Sequence, residues 1–212
     1  MKVVFKGNVE ERIKNSSRLI VEIGCGSSPK IKGAITIDII DLDGIDIVAD
    51  VTKRLPFNDN SIDEIHSYHF LEHVEDLHFM FQEMYRVLKK EGLIIGTVPH
   101  FSNPYYYSDP THKSFFGLYT FSYFDKDQKL FKRKVPTFYS EELFHTRKIR
   151  LGFTSPFPGR YIFKKVIGLI ANLSSYTREF FEENLIYIVP VYEVCFELRK
   201  LKKWTLLFWQ DT

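Results

Sequence analysis

The sequence LIVEIGCGSSP at residues 19–29 is the most informative stretch of the chain. It begins with a short apolar run rich in β-branched residues, which is typical of a buried strand. The run ends at Gly24-Cys25-Gly26. Glycines at the carboxyl end of a parallel strand let the backbone turn sharply and approach a ligand, and ligands bind at this end of open α/β sheets. We therefore predict a strand followed by a ligand-binding turn.

Two further apolar runs follow, and an aspartate ends each of them. The run at 34–37 ends at Asp38, and the run at 45–49 ends at Asp50. Gly24 and Asp38 are only 14 positions apart, with a proline and a glycine between them. This leaves room for a turn but not for the helix that normally connects the first two strands of a nucleotide-binding unit. We predict a shortened or missing first helix.

The rest of the chain alternates predicted strands and helices. Strands are predicted at 62–67, 93–98, 148–153 and 191–198, and helices at 8–17, 71–88 and 161–173, with helical character also at 141–147 and 178–185. Such alternation favours an α/β fold with a doubly wound, mostly parallel sheet. No linker or repeat is found, so we predict a single domain over 1–212 with a helical insertion at about 158–185.

Composition narrows the class of protein. The chain has 212 residues, 44% hydrophobic and 26% charged, which is typical of one soluble domain with a sizeable core. Its formal charge of +2 does not indicate a nucleic-acid partner. The two cysteines form no disulfide framework and favour a reducing, cytoplasmic location. No apolar run approaches the length of a membrane span.

Residues 101–140 are about twice as rich in aromatic residues as the chain as a whole, which has 16%. The aromatic residues follow no clear helix or strand period. Two interpretations remain open. The segment is an aromatic lid over a pocket, or it is a loop-rich region that packs on itself.

The acidic residues near the predicted glycine turn favour an adenosine ligand. A carboxylate at Asp38 can accept hydrogen bonds from both hydroxyls of a ribose. Asp50 can accept from the amine of an adenine, whose ring nitrogen can take the N–H of Val51. Glu22 is placed to meet an ammonium group. A dinucleotide pyrophosphate relies on the helix that is missing here, so the residues favour an adenosine that carries an amino acid instead of phosphates.

Several motifs resemble those of class I S-adenosylmethionine-dependent methyltransferases. They are EIGCG at 22–26, ADVTKRLPFNDNSIDEI at 49–65, HFLEHVED at 69–76 and EMYRVLKKEGLIIGTVP at 83–99. The resemblance is strongest to the small-molecule enzymes with an LEH motif after the fourth strand. It implies a Rossmann-like sheet of seven strands, the last antiparallel at 191–198. Residues 103–116 and 182–200 are similar to a bacterial branch linked to cell-envelope or glycan metabolism.

The resemblance also implies roles for individual residues around the cofactor S-adenosyl-L-methionine. The expected cofactor-binding residues are Glu22, Gly24, Cys25, Gly26, Asp38, Ile39, Asp50, Val51 and Tyr68. The usual third glycine is replaced by Ser28. A (D/N)PPY motif is missing after the fourth strand, which disfavours amino-group methylation of nucleobases. Cysteines and histidines at zinc-ligand spacing are also missing, so we predict no metal.

Methyl transfer needs a base only where the acceptor has a proton to lose. His112 is our first choice, because it belongs to the DPTH turn at 109–112, where Asp109 can orient its ring. His69, closer to the expected methyl group, is the second.

We therefore predict methyl transfer to a small-molecule or glycan-type acceptor, with oxygen as the receiving atom. A binding module without turnover and a nucleotide-dependent oxidoreductase are the alternatives. For the amphipathic helix at 161–173 we consider packing against the aromatic lid and, alternatively, weak peripheral contact of 160–173 with anionic lipid.

Overall fold

The computed structural model describes residues 3–138 and 144–201, which build one eight-stranded sheet with helices around it. The strands are β1 (Val4–Phe5), β2 (Ile20–Ile23), β3 (Ile35–Asp38), β4 (Ile47–Val48), β5 (Ile62–Tyr68), β6 (Leu88–Pro99), β7 (Phe144–Gly152) and β8 (Glu193–Lys200). The α-helices are α1 (Val9–Asn15), α2 (Leu77–Val87), α3 (Pro158–Ala171) and α4 (Ser175–Asn184), and single 3-10 turns lie at Leu71–His73, Tyr106–Ser108 and Thr120–Phe124.

The strand order is β1-β4-β3-β2-β5-β6-β8-β7. Strands β4, β3, β2, β5 and β6 are parallel, whereas β8 runs antiparallel to both β6 and β7. This confirms the predicted Rossmann-like α/β sheet with an antiparallel last strand. The eighth strand, β1, pairs antiparallel with β4 at the edge and is too short to show a sequence pattern. As predicted, the chain passes from β2 to β3 without a helix.

The helix predicted at 71–88 is interrupted. A single 3-10 turn covers Leu71–His73, the backbone of Val74 is extended, and α2 begins only at Leu77. The side chain of Asp76 accepts the N–H of Phe79 and caps the helix. The apolar spacing hides this break, because Leu71 and Val74 are buried in either arrangement. The helical start expected at 141–147 is partly outside the described residues, and β7 already occupies the chain from Phe144.

The aromatic segment divides into two parts. Phe116, Phe121 and Phe131 are buried in the main core, and the Phe121 ring stacks on Phe196 of β8 with centroids 4.1 Å apart. This part is a packed layer and not a lid, because its rings fill the space between the sheet and α2, where Phe121 also contacts Phe81 at a centroid distance of 6.3 Å. The earlier part, 105–115, keeps exposed rings and reaches the carboxyl end of the sheet. The lid remains a prediction for 105–115 alone.

The other sheet face has little helical cover over β5, β6 and β8. His66, Tyr68 and Thr97 point to this face. Tyr68 and Thr97 are half-buried, and the buried His66 contacts the Tyr68 hydroxyl. A cavity of about 600 Å³ lies there, between the sheet and α3. The helix missing after β2 would lie on this side of a doubly wound sheet. None of the described helices is both long and apolar enough to cross a membrane.

Candidate active site

The glycine turn after β2 has the conformation that its sequence requires. Gly24 and Gly26 adopt φ values of +62° and +55°, which side chains other than glycine rarely adopt. The N–H of Gly24 donates to the carbonyl of Ile37 at 2.8 Å, which joins the turn to β3. The N–H of Gly26 donates to Asp38 Oδ2 at 2.8 Å. The turn and the carboxylate predicted to hold a ribose are therefore one unit.

Asp38 lies at the carboxyl end of β3 and is 8% exposed. Its Oδ1 accepts the N–H of Ile40 at 3.0 Å, and its Oδ2 accepts the N–H of Gly26. Each carboxylate oxygen keeps a second lone pair for a ligand hydroxyl. The side chains of Ile39 and Ile40 are more than half exposed directly beside it. Such an exposed apolar pair next to a buried carboxylate suits a nucleoside.

Asp50 and Val51 follow β4, which pairs parallel with β3 so that Val48 is opposite Asp38. Asp50 Oδ1 accepts the backbone N–H of Thr52 at 3.1 Å and its hydroxyl at 2.6 Å. The other oxygen, Oδ2, lies 3.9 Å from the Lys53 ammonium. Val51 is buried. The structure therefore brings the predicted adenine-binding pair to the same edge of the sheet as Asp38.

Glu22 has a different environment from the one expected. It is 1% exposed, and its carboxylate accepts the N–H groups of Lys30, at 2.9 and 3.0 Å, and of Ile31, at 2.9 Å. Those N–H groups would be satisfied inside a helix if the connection were helical. Glu22 thus holds the loop that replaces the first helix. The N–H groups of Lys30 and Ile31 bind the carboxylate that was expected to bind the ammonium group of a ligand.

Cys25 and Tyr68 are both near this loop. Burial, followed by the negative charges of Glu22 and Asp38, raises the pKa of the Cys25 thiol to about 12, so the thiol stays protonated. The Lys30 ammonium lies 4.6 Å from the centre of the Tyr68 ring. The Tyr68 hydroxyl is 3.1 Å from His66 Nδ1, and burial is the main cause that raises its pKa. Both side chains are neutral groups beside the turn.

His69 follows β5 with a φ of +56°, a rare conformation for a residue with a side chain. Its Nδ1 lies 3.4 Å from Glu72 Oε1, and its Nε2 lies 3.3 Å from Glu193 Oε1. Glu193 and then Glu72 raise the pKa of His69 to about 9, against the opposing effect of burial. Both ring nitrogens face carboxylates, so this geometry suits a fixed cation better than the base that we expected as second choice.

His112 has an oriented ring. Its Nδ1 is 2.9 Å from the carbonyl oxygen of Tyr106, which can only accept, so Nδ1 carries the proton and Nε2 has the lone pair. The Nε2 atom lies 3.7 Å from Asp109 Oδ2. The rings of Tyr106 and His73 are also close, at centroid distances of 4.6 and 5.0 Å. The expected contact between His112 and Asp109 is present but long, and the backbone of Tyr106 does most of the orienting.

No role was predicted from the sequence for three further acidic and basic residues near His69 and His112. Glu72 and His73 belong to the LEH motif. One nitrogen or oxygen atom from each of Glu72, His73 and His112 lies within 4.8 Å of the corresponding atoms of the other two. Glu193, at the start of β8, joins the site through His69. The LEH motif was a signal for the first two. For Glu193 we find no sequence signal, because its place depends on how β8 pairs with β6.

Comparison with known proteins agrees with this geometry. Residues 29–96, about a third of the chain, match the family model described as a methyltransferase domain. No curated protein matches the sequence. A SAM-dependent methyltransferase from Archaeoglobus fulgidus is a similar solved structure, with 16% identity, a TM-score of 0.53, and coverage of 91% of this chain and 90% of that one.

A second similar structure is phosphoethanolamine N-methyltransferase 2 from Haemonchus contortus, in complex with phosphomonomethylethanolamine and S-adenosylhomocysteine. It has 14% identity and a TM-score of 0.50, and the match covers 91% of this chain and 52% of that one. At these identities the two structures show a shared fold. The range matched by the family model, 29–96, spans Asp38, Asp50 and residues 71–73.

Proposed function

We propose that this chain, a class I S-adenosylmethionine-dependent methyltransferase, methylates an oxygen atom of a small-molecule or glycan-type acceptor. In this proposal the acceptor binds beside the LEH turn and the loop at 105–115. The oriented lone pair of His112 Nε2 is the observation that carries the proposal.

The residues at the glycine turn fit S-adenosylmethionine, which when bound supplies a methyl group on a positively charged sulfur. Asp38 would accept from the ribose, beside the exposed Ile39, and the Oδ2 atom of Asp50 with the N–H of Val51 would bind the adenine. The Gly24–Gly26 backbone would line the methionine part. A Cβ at Gly26 would meet no atom within 4 Å, so the space next to this backbone is open. Glu22 and Tyr68 would not contact the cofactor directly but would hold the loop at Lys30.

The acceptor side needs few groups, because methyl transfer depends mainly on proximity and an in-line approach. A hydroxyl acceptor must also lose a proton. His112 Nε2 has a lone pair for that proton, and the Tyr106 carbonyl stabilises the imidazolium by accepting from Nδ1. His69 already has a carboxylate at each nitrogen, so we assign it the role of positioning Glu72 and Glu193.

The experiment is transfer of a labelled methyl group from S-adenosylmethionine to a panel of acceptors with free hydroxyls, with phosphoethanolamine as the amine acceptor. His112→Ala should lower turnover by about 10²- to 10⁴-fold and leave cofactor affinity nearly unchanged. His78→Ala is the matched control, since His78 lies on α2 and its hydrogen bond is to Gln82 of the same helix.

Two results would contradict the proposal. Full turnover of the His112→Ala variant would show that the reaction runs on proximity alone. Label recovered on nitrogen rather than on oxygen would change the acceptor class to that of the Haemonchus contortus protein.

The surface of α3 supports a further part of the proposal, contact with an anionic membrane. The packing of this face expected from sequence is not observed, since only Ile167 and Ala171 of α3 reach the core. The other large aliphatic and phenylalanine side chains of α3 and of the turn after it are 51–75% exposed. They are Ile162, Phe163, Val166, Leu169 and Ile170 in the helix and Leu173 in the turn. The helix has three basic residues and no acidic one. This combination is typical of a helix that lies on anionic lipid.

Sedimentation with vesicles tests this contact. We expect binding to vesicles that contain anionic lipid at low salt, and loss of binding in the double variant Ile162→Ser/Leu169→Ser. Tyr107→Ser, which also removes an exposed apolar side chain but from the loop at 105–115, should bind like the parent. Failure of the parent to sediment at low salt, or a dimer in solution that buries α3, would refute the membrane contact.

A further inference from the structure

Two segments that are far apart in sequence are tied together at the LEH turn. The backbone carbonyl of Glu72 accepts the N–H of Lys113 at 2.7 Å and that of Ser114 at 3.1 Å. The hydroxyl of Ser114 donates to the carbonyl of Val74 at 2.7 Å. These bonds hold His112 beside Glu72 and His73 before any ligand arrives. The distance of 4.8 Å or less among their ligating atoms is therefore set by the backbone.

The Glu72 carboxylate has an unsatisfied oxygen. Glu72 is 1% exposed, and its Oε2 has no hydrogen-bond partner among residues 3–138 and 144–201. Its other oxygen, Oε1, lies 3.4 Å from His69 Nδ1. A buried carboxylate oxygen without a partner destabilises the folded state, because its hydrogen bonds to water are lost and no hydrogen bond within the protein replaces them. This oxygen is a place where a positive ligand would be stabilised.

Both histidines are oriented through their Nδ1 atoms. His112 Nδ1 donates to the Tyr106 carbonyl. His73 Nδ1 lies 2.9 Å from the Thr111 hydroxyl oxygen, and that hydroxyl donates to Asp109 Oδ1 at 2.6 Å. The Thr111 oxygen must therefore accept from His73 Nδ1–H, which leaves the lone pair of His73 on Nε2. Histidines that bind metals are held in the same way, by an outer partner on the second nitrogen.

We propose that Glu72, His73 and His112 form a binding site for one divalent transition-metal ion, with Zn²⁺ as the best fit. Two imidazoles and one carboxylate are a ligand set that Zn²⁺ accepts, with a fourth position open. Donors around a zinc ion at about 2.1 Å lie roughly 3.4 Å apart, so the three side chains close slightly on the ion. Asp109 Oδ2 is 3.7 Å from His112 Nε2 and is near enough to serve as a further metal ligand.

The ion would change how the acceptor is handled. The same lone pair of His112 Nε2 serves either as the proposed base or as a ligand of the ion. With the ion bound, His112 would be a ligand, and an acceptor oxygen at the open position would lose its proton more easily because of the metal charge. This use of the ion depends on the proposed function, whereas the binding of the ion does not. The proposal differs from the expectation of no metal, which was based on the spacing of cysteines and histidines in the sequence.

Metal binding can be measured without methyl transfer. Untagged full-length protein is stripped with a chelator and titrated with Zn²⁺ by calorimetry, and with Co²⁺ by visible absorption. We expect one ion per chain and a rise in Tm on addition of Zn²⁺. Glu72→Gln, His73→Gln and His112→Gln should each weaken Zn²⁺ binding by at least about 10-fold, whereas His78→Gln, outside the cluster, should bind like the parent.

The three variants protect the test against misfolding, since each must first give the circular dichroism spectrum of the parent protein. Absence of stoichiometric Zn²⁺ or Co²⁺ binding to the parent would overturn the proposal, and so would binding that persists in all three variants. Stoichiometric binding without methyl transfer to any acceptor would support the metal site and count against the proposed function. Methyl transfer by a parent protein that binds no ion would support the proposed function and count against the metal site.

Discussion

Replacement of Gly24 by alanine should destabilise the protein much more than the same change at Gly26. Both glycines adopt positive φ values, so alanine pays about 1–2 kcal/mol of backbone strain at either position. At Gly24 the new Cβ would also lie 2.3 Å from Phe70 Cδ2 and 2.6 Å from Phe70 Cβ, whereas at Gly26 it would meet no atom within 4 Å. Displacing the Phe70 ring adds an overpacking cost of about 1–3 kcal/mol.

The two variants can be compared by urea unfolding and by thermal melting. We expect the Tm of Gly24→Ala to be roughly 2–12 °C below that of Gly26→Ala, from about 2–4 °C per kcal/mol in a domain of this size. The double variant Gly24→Ala/Phe70→Ala should be less destabilised than the sum of its single changes, because the clash with the Phe70 ring is removed and only the contact with the Cβ of residue 70 is left. Equal stability of the two glycine variants would refute the reasoning, since only the contact with Phe70 distinguishes them.

Three other predictions concern single residues. Asp38→Ala should weaken S-adenosylmethionine binding by about 10- to 150-fold, since hydrogen bonds to a charged group contribute about 1.5–3 kcal/mol, and an unchanged Kd in calorimetry would remove Asp38 from the site. Burial raises the pKa of Glu83, but the Arg86 guanidinium and the Leu55 N–H outweigh it and hold that pKa below its ordinary value of 4.5. The stabilisation from Glu83 is therefore present above about pH 4.5 and lost as the pH falls further, and acid unfolding of Glu83→Gln should start from lower stability and show a shallower pH dependence than that of the parent. Asp76→Ala removes the cap of α2 and should cost about 0.5–2 kcal/mol in urea unfolding, whereas no loss would mean that the helix does not begin there.

The sheet and the glycine turn could be predicted because their signals are local. Strands β2, β3 and β4 lie in short apolar runs that are followed by a glycine turn or an aspartate. The helix boundaries were harder to predict from the sequence. Leu71 and Val74 continue the helical spacing into α2, and only the cap at Asp76 and the extended backbone at Val74 show where the helix begins.

The aromatic segment illustrates a second limit. Its density of aromatic rings predicts burial somewhere, but a ring can cover a pocket or a sheet equally well. Phe121 packs on Phe196 because the apolar face of β8 is turned toward it, and that follows from the antiparallel pairing of β8 with β6. The length of β1 and the place of Glu193 depend on the same kind of pairing.

Local patterns in the sequence were enough to predict the fold class, the position of the glycine turn, the carboxylates Asp38 and Asp50 near adjacent strand ends, and the missing first helix. These depend on spacing within a few residues, where backbone geometry allows few alternatives. Three other features became visible only in the fold: backbone N–H groups bind the Glu22 carboxylate, carboxylates lie at both ring nitrogens of His69, and Glu72 and His73 lie beside His112. Those contacts join segments that are far apart in the chain, and their geometry comes from strand pairing and loop packing, which no local pattern records.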